Sequence, residues 1–398
     1  MTFSVPAATT ARVMELAMGC PLDSSVIKPE LAISIVMYFT LTSRYRSAQL
    51  TESVDVEQVE AAISILPGYY CGPMLCERSI TVAEILVFAP DKAEAAHYWR
   101  LLAAELVGTN IAVASTIEEA KPYISTIPIL VGWKFPKDLI GQAKSLRWIH
   151  KVSAGVEDVV GATDRPVGLL LTRTGGAAIA PRMVEYVLAA IYTNTQQFLR
   201  AIKQGLNKQW SPYAIDLAAG KTVGVAGVGE IGTEIARALQ KNGMRVLGWR
   251  RSDSKLAPGV DHVFHGRDEL CEFVSSCDFV VSVLPATAET ANVFDAHVFA
   301  AMRSGAVFIN VGRGTTVDET ALAEAISRHH VAAAVLDVFV DEPLPPTSPL
   351  WGLERVIVTP HVSGPIIPED VISFFVENFG RFQSGERLLK EVDFDRGY

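Results

Sequence analysis

The sequence predicts an α/β protein built on parallel sheets, and three observations carry that expectation. From about Ile85 onward, short apolar runs alternate with longer amphipathic stretches, the rhythm of strand–helix–strand units. The later runs are near-continuously apolar rather than alternating, which suits strands buried on both faces. Finally, a glycine-rich turn, Gly227-Val228-Gly229-Glu230-Ile231-Gly232, follows one such run and opens an amphipathic stretch.

Taken in order, residues 1–80 stand apart: they are largely helical in pattern, contain the cluster PGYYCGPMLC (67–76) and show no repeat. They read as a helical accessory or dimer-contact segment. ILVFAP (85–90), IAVAS (111–115) and IPILVGW (127–133) read as strands, with a helix around HYWRLLAAEL (97–106) between the first two. LRWIHKVSAG (146–155) supplies a further strand and a turn, and LLLTRTGG (169–176) a strand ending in glycines. A long helix is expected roughly from Pro181 through Ala201, with Pro181 in the first turn, where its missing N–H is no loss. A second α/β series starts at Lys221. Its strands are TVGVAG (222–227), RVLGW (245–249), FVVSVLP (279–285), AVFINVG (306–312), AAAVLDVF (332–339) and VIVTP (356–360). Helical stretches at 231–243, 269–277 and 319–330 lie between them, and one more helix follows at 368–385.

Composition bounds the function. A chain of 398 residues suits two or three domains. With 49% hydrophobic and 20% charged residues it has an ordinary globular balance, and its net charge of -9 disfavours nucleic-acid and anionic-membrane partners. No stretch approaches the roughly 20 apolar residues that span a bilayer; LAISIVMYFTL (31–41) reads as a buried helix. The five cysteines (Cys20, Cys71, Cys76, Cys271, Cys277) form no CxxC pair and no cluster with histidine, so neither a metal site nor a disulfide framework is expected. A reduced, cytoplasmic setting fits. The first residues lack acids until Glu15, as organelle transit signals do, but with one arginine before that point they read as an ordinary helical start.

The glycine turn is a phosphate cradle in the right context. Gly227 permits the tight turn, Gly229 lets a pyrophosphate approach the backbone, and Gly232 allows close helix–strand packing. The amides at the helix start around Glu230 and Ile231, with the positive end of the dipole, attract phosphate. At the end of the next strand, where an NAD site places a carboxylate for the ribose, the chain has Arg250, Arg251 and Ser252. Guanidinium grips a 2′-phosphate that a carboxylate would repel. NADP(H) is therefore favoured, with NAD(H) the alternative if these arginines are merely solvated or stack on adenine.

Reducing a 2-keto acid needs a cation for the carboxylate, a proton donor for the carbonyl oxygen, and a hydride. Arg313 (in NVGRGTTVD), Glu342 (in DVFVDEPLP) and His361 (after Thr359-Pro360) each lie just past a strand end, at the carboxyl edge where open α/β sheets bind ligands. Singly they have ordinary readings: a loop arginine, an unremarkable Glu-Pro pair, a structural histidine. Together they form a unit. A carboxylate beside an imidazole favours its protonated form and fixes its tautomer. His361 would then donate the proton while Arg313 holds the carboxylate and polarises the carbonyl.

In order and spacing, VGVAGVGEIG, VLPATAET, NVGRGTTVDE, LDVFVDEPLP and VTPHVSG resemble the D-isomer-specific 2-hydroxyacid dehydrogenases, a family that includes glyoxylate/hydroxypyruvate reductases and phosphoglycerate dehydrogenases. The resemblance runs from about residue 81 to the terminus. It implies a catalytic triad of Arg313, Glu342 and His361, and reduction of small 2-keto acids to D-2-hydroxy acids. It implies that the backbone amides of Ser153, Ala154, Gly155 and Val156 meet the substrate carboxylate. Asp337 would contact the nicotinamide carboxamide, and Pro285 would line the nicotinamide pocket. The double arginine is similar to the NADP-using reductase branch. Two doubly wound lobes are implied: a flavodoxin-like substrate lobe of residues 81–190 completed by 362–398, and a Rossmann-like dinucleotide lobe of 191–361. A homodimer formed through the dinucleotide lobe is implied too. Other members act as co-repressor-like, dinucleotide-gated interaction proteins or as phosphite-type dehydrogenases, and these are the alternatives. Formate oxidation resembles a pattern with Gln where this chain has Glu342. The loop at 364–370 gives no handle on the substrate side chain.

Overall fold

The computed structural model describes residues 83–89, 91–251 and 256–397. The helical segment expected at 1–80 and the cofactor contact expected at Ser252 lie outside these residues. Two sheets emerge, and every strand pairing in them is parallel.

The first sheet comprises β1 (Ile85–Phe88), β2 (Ile111–Ala114), β3 (Ile129–Gly132), β4 (Trp148–Lys151) and β5 (Leu170–Arg173), in the order β2-β1-β3-β4-β5. β1, β3 and β4 are buried along their whole length, because helices cover both faces. Those helices are α1 (Lys92–Glu105), α2 (Ile117–Ile124), α3 (Lys137–Gln142) and α4 (Glu157–Val160). The side chains of Asp91 and Thr116 cap α1 and α2 by accepting from the amides of Glu94 and Glu119, each filling one orphan donor of a first turn. The strand order reverses between β1 and β3, which opens a crevice at their carboxyl ends.

Next comes α5 (Gly176–Thr195), followed after a left-handed Gln197 by α6 (Phe198–Leu206). Here the structure corrects the expected helix start at Pro181. The helix begins five residues earlier, and Pro181 sits inside it. A proline there costs roughly 3 kcal/mol or more. Ile179, Met183, Val187, Ala190 and Ile191 enter the core of the second sheet from one face of α5, and each large apolar side chain so buried contributes roughly 1.5–3 kcal/mol. Burial therefore outweighs the proline. The expected lobe boundary at 190/191 falls within this helix.

The second sheet comprises β6 (Thr222–Ala226), β7 (Arg245–Arg250), β8 (His262–His265), β9 (Phe279–Ser282), β10 (Val307–Asn310), β11 (Ala333–Leu336) and β12 (Val356–Val358). Its order is β12-β11-β10-β9-β6-β7-β8, so the reversal lies between β6 and β9. The helices α7 (Glu230–Lys241), α8 (Leu270–Ser275), α9 (Ala296–Ala301) and α10 (Glu319–Ser327) connect these strands. β8 escapes the apolar-run criterion because it is an edge strand reading His-Val-Phe-His, with only its two central residues buried.

The last helix, α11 (Pro368–Ser384), returns to the first sheet. Phe375 stacks on Trp148 with ring centroids 4.9 Å apart, and Val392 donates its amide to Leu171 of β5. Beneath this contact lies His150, whose Nδ1 shares the Thr172 hydroxyl with Trp148 Nε1. Among the described residues no helix is long and apolar enough to cross a membrane.

Candidate active site

At the reversal point of the second sheet, Gly227 turns the chain out of β6 with a φ of +101°, and its amide donates to the Trp249 carbonyl at 2.9 Å. A Cβ at that position would lie 2.8 Å from the Val283 carbonyl oxygen, while one at Gly232 would overlap the Gly227 carbonyl. These two glycines are required by the protein's own packing. Gly229 differs: it caps α7 and a Cβ there meets nothing within 4 Å. Open space at the amino end of a twelve-residue helix is what an approaching pyrophosphate needs. The residues present thus fit a dinucleotide.

The side chain of Glu230 points elsewhere, accepting from the Gly176 amide at 3.0 Å and pairing with Lys390 at 2.8 Å. Any cofactor contact at Glu230 and Ile231 therefore belongs to their amides. Arg250 and Arg251 stand at the end of β7, as expected, and Arg251 pairs with Glu289 at 2.6 Å. Glu289 carried no signal in the sequence, being one acid in a loop. Pro285 is half-buried just beyond β9, its carbonyl accepting from the Thr290 hydroxyl.

Arg313 follows β10 and is fixed from two sides. The buried Asn310 donates to the Arg313 carbonyl at 3.1 Å and accepts from the Gly312 amide at 3.2 Å, and Thr316 Oγ1 also donates to that carbonyl. Gly314 packs so tightly against the Phe339 backbone that a Cβ would overlap it, which brings the Arg313 loop beside the loop that carries Glu342. The guanidinium crosses to the first sheet: Nε donates to Glu157 Oε1 at 2.8 Å. Its Nη2 lies so close over Gly155 that any side chain there would overlap it.

Ser153, Ala154, Gly155 and Val156 form the turn after β4. Ser153 Oγ donates to the Gly155 carbonyl at 2.9 Å, and Arg173 Nη1 donates to the Ala154 carbonyl at the same distance. Among the described residues, no acceptor takes the amides of residues 153–156. Such a set of open amides beside a guanidinium suits an anion. Val156 packs into the core of the first sheet.

Beneath the turn, buried Lys151 pairs with Asp158 at 2.7 Å and donates to the Trp133 carbonyl. Burial pulls its ammonium below the usual lysine range by more than Asp158 restores. Burial would push the Glu157 carboxyl up, but Arg313, the surrounding hydrogen bonds and Lys151 together hold it below its ordinary value. Glu157, Lys151 and Arg173 were not singled out in the sequence; only the tertiary fold shows that Glu157 meets Arg313 and that Lys151 and Arg173 brace the segment around it.

His361 and Glu342 meet. His361 Nδ1 lies 2.8 Å from Glu342 Oε2, and Glu342 Oε1 accepts from the Phe339 amide at 3.0 Å. With Nδ1 committed, Nε2 is the nitrogen left for chemistry. Asp337 is placed differently from the expectation of a carboxamide contact: it is 0% exposed, and its carboxylate accepts from Thr359, Val362 and Ser363.

The fold and site define a class: an α/β protein of the dinucleotide-binding type, with an acid–base pair and a guanidinium at the carboxyl edge of the cradle's own sheet. Comparison with known proteins narrows it. A family profile described as D-isomer specific 2-hydroxyacid dehydrogenase, NAD binding domain, matches residues 186–363. Glyoxylate/hydroxypyruvate reductase A of Yersinia enterocolitica is 30% identical over 271 residues, 67% of this chain and 86% of that one. A D-isomer specific 2-hydroxyacid dehydrogenase from Xanthobacter autotrophicus, solved in complex with NADPH and MES, superposes with a TM-score of 0.74 at 32% identity, covering 79% of this chain and 100% of the other. For the NADPH-dependent glyoxylate/hydroxypyruvate reductase of Sinorhizobium meliloti, solved with NADP and sulfate, the values are 0.73, 29%, 79% and 100%. The chain belongs to the D-isomer-specific 2-hydroxyacid dehydrogenase family.

Proposed function

We propose that this chain reduces small 2-keto acids to D-2-hydroxy acids with NADPH. The observation that carries the reading is the 2.8 Å contact between His361 and Glu342 on the sheet that also bears the glycine cradle and Arg313. Relatives named glyoxylate/hydroxypyruvate reductase, one of them solved with NADP, support the substrate and cofactor class.

Gly229 and the amides of Glu230 and Ile231 would hold the pyrophosphate on the turn that Gly227 and Gly232 shape, Arg250 and Arg251 would take the 2′-phosphate, and Pro285 would border the nicotinamide pocket. The bound cofactor supplies the hydride. The chain's own residues do the rest. The amides of residues 153–156 and the Arg313 guanidinium bind the substrate carboxylate, and Arg313 polarises the carbonyl. His361 Nε2 gives its proton to the carbonyl oxygen, while Glu342 holds Nδ1 and steadies the charge that the imidazole carries. In the reverse direction the imidazole accepts that proton. The Glu157 carboxylate fixes the guanidinium through Nε and leaves the Nη2 edge over Gly155 to face substrate.

The homodimer is part of this reading. On α6, Phe198, Ile202 and Leu206 recur one turn apart, all exposed, and Trp210 beyond them is 96% exposed. Such a stripe on the surface of a folded protein marks a contact site.

The test is a panel of small 2-keto acids, including glyoxylate and hydroxypyruvate, assayed by loss of reduced-cofactor absorbance with NADPH and with NADH. Turnover with at least one of these acids, faster with NADPH, is expected. Failure across the panel with either cofactor would overturn the assignment.

A further inference from the structure

We propose that Asp337 is the positioning residue of this site: its buried carboxylate, tied through Thr359 to Tyr186 on α5, holds the 359–363 loop in the path that presents His361 to Glu342. The proposal rests on reading His361 as the proton donor.

The loop is held in an unusual shape. His361 has a φ of +54°, a left-handed conformation that residues with a side chain adopt only when their surroundings impose it. Pro360 before it fixes its own φ and donates no hydrogen bond. What imposes the shape is one residue. The Asp337 carbonyl accepts from the His361 amide at 2.9 Å. Its Oδ1 accepts from Thr359 Oγ1 at 2.5 Å and from the Val362 amide at 2.8 Å, and its Oδ2 from the Ser363 amide at 2.8 Å. Four of the five loop residues are thus tied to position 337: Thr359 before the turn, His361 at its centre, and Val362 and Ser363 after it. A carboxylate can do this because it only accepts, and all its partners only need an acceptor.

The chain of bonds continues outward, and its direction can be deduced. Thr359 has one hydroxyl proton, and that hydroxyl donates to Asp337 Oδ1, so Thr359 must accept from the Tyr186 hydroxyl 2.6 Å away. Burial pushes the Tyr186 phenol up to about 12, which keeps it a donor throughout the neutral range. Tyr186 belongs to α5, the helix that follows the first sheet in sequence and packs into the core of the second. The relay Tyr186–Thr359–Asp337 therefore ties the placement of the imidazole to the helix that joins the two sheets. Asp337 is fully buried, and both oxygens of its carboxylate accept from the loop.

The test compares Thr359→Val, Thr359→Ser, Tyr186→Phe and Asp337→Asn with the parent enzyme. The readouts are kcat for 2-keto acid reduction at saturating NADPH, the NADPH dissociation constant, and the solvent deuterium isotope effect on kcat. Displacing a reacting group by about 1 Å costs on the order of 100-fold. Thr359→Val should lower kcat by roughly 10- to 100-fold with NADPH affinity unchanged within about twofold, and Thr359→Ser should recover most of it. Tyr186→Phe, which removes only the outer donor, should lower kcat about threefold to tenfold. In both deficient variants the isotope effect should rise, because proton transfer from a displaced imidazole becomes limiting. Loss of stability alone would not move that readout. If Thr359→Val fails to fold, Tyr186→Phe carries the same comparison.

A Thr359→Val enzyme at parental kcat would overturn the proposal. So would an Asp337→Asn enzyme that loses NADPH affinity yet keeps kcat at saturation, since the carboxylate would then serve the cofactor. His361→Asn separates the two levels: if it is inactive while Thr359→Val is unimpaired, the clamp alone fails. If His361→Asn keeps its turnover, the proton-donor reading fails and the clamp falls with it.

Discussion

At the scale of single residues, the site depends on a guanidinium held from several directions at once. Arg313 is fixed through its carbonyl by Asn310 and Thr316, through Nε by Glu157, and through Nη1 by the Gly312 carbonyl. Its Nη2 lies over Gly155. Arg313→Ala should raise KM for the keto acid sharply and lower kcat as well, because its charge serves both the bound substrate and the transition state. Gly155→Ala should reproduce much of this without removing any charge, since the added methyl overlaps Nη2; steady-state kinetics of the two variants check it, and a Gly155→Ala enzyme with parental KM would contradict the geometry. Replacing Arg250 and Arg251 with Ala should weaken NADPH far more than NADH when both dissociation constants are measured, and equal effects would refute the 2′-phosphate assignment. Of this site, Arg313, Glu342 and His361 were legible in the sequence because each follows an apolar run that ends at one sheet edge. Glu157 was not, since it sits 156 residues from Arg313 and nothing local marks an acid at a helix start as a long-range partner.

At the scale of elements, the same contrast between local and tertiary signals recurs. The buried strands were legible because a strand covered on both faces must be apolar throughout. The edge strand β8 was not, because half of it faces water. The start of α5 was misplaced because local chemistry assigns proline to a first turn, whereas burying one face of the helix in the second core outweighs the lost hydrogen bond. Burial also has a consequence for pH at the contact between β4 and α11. It drives the His150 imidazole from 6.5 down to about 3. Between those values the unfolded chain binds a proton that the folded chain refuses, so stability falls as pH drops below 6.5, by about 1.4 kcal/mol per unit. Above 6.5 this group has no effect. Urea unfolding at pH 6.5 and pH 5 should therefore show His150→Phe losing about 2 kcal/mol less than the parent over that interval. Parallel losses would contradict the assignment.

At the scale of the whole molecule, two sheets with different strand orders bring their carboxyl edges to one site, and residues from both complete it. The cradle and the acid–base pair come from the second sheet, and the amide turn with Glu157 comes from the first. The order of motifs along the chain made the two-sheet plan legible, while the contacts across it had to await the fold. The exposed stripe on α6 bears on assembly. Sedimentation velocity should give twice the chain mass, and Ile202→Glu should shift it to the monomer; a parent that sediments as a monomer would refute the dimer.

The most direct test of the central claim is single-turnover oxidation of bound NADPH by a 2-keto acid, followed in stopped flow for the parent and for His361→Asn. The variant should bind NADPH with unchanged affinity and lose roughly 100- to 10,000-fold in the rate of oxidation. Oxidation at the parental rate, or loss of NADPH binding in place of rate, would contradict it.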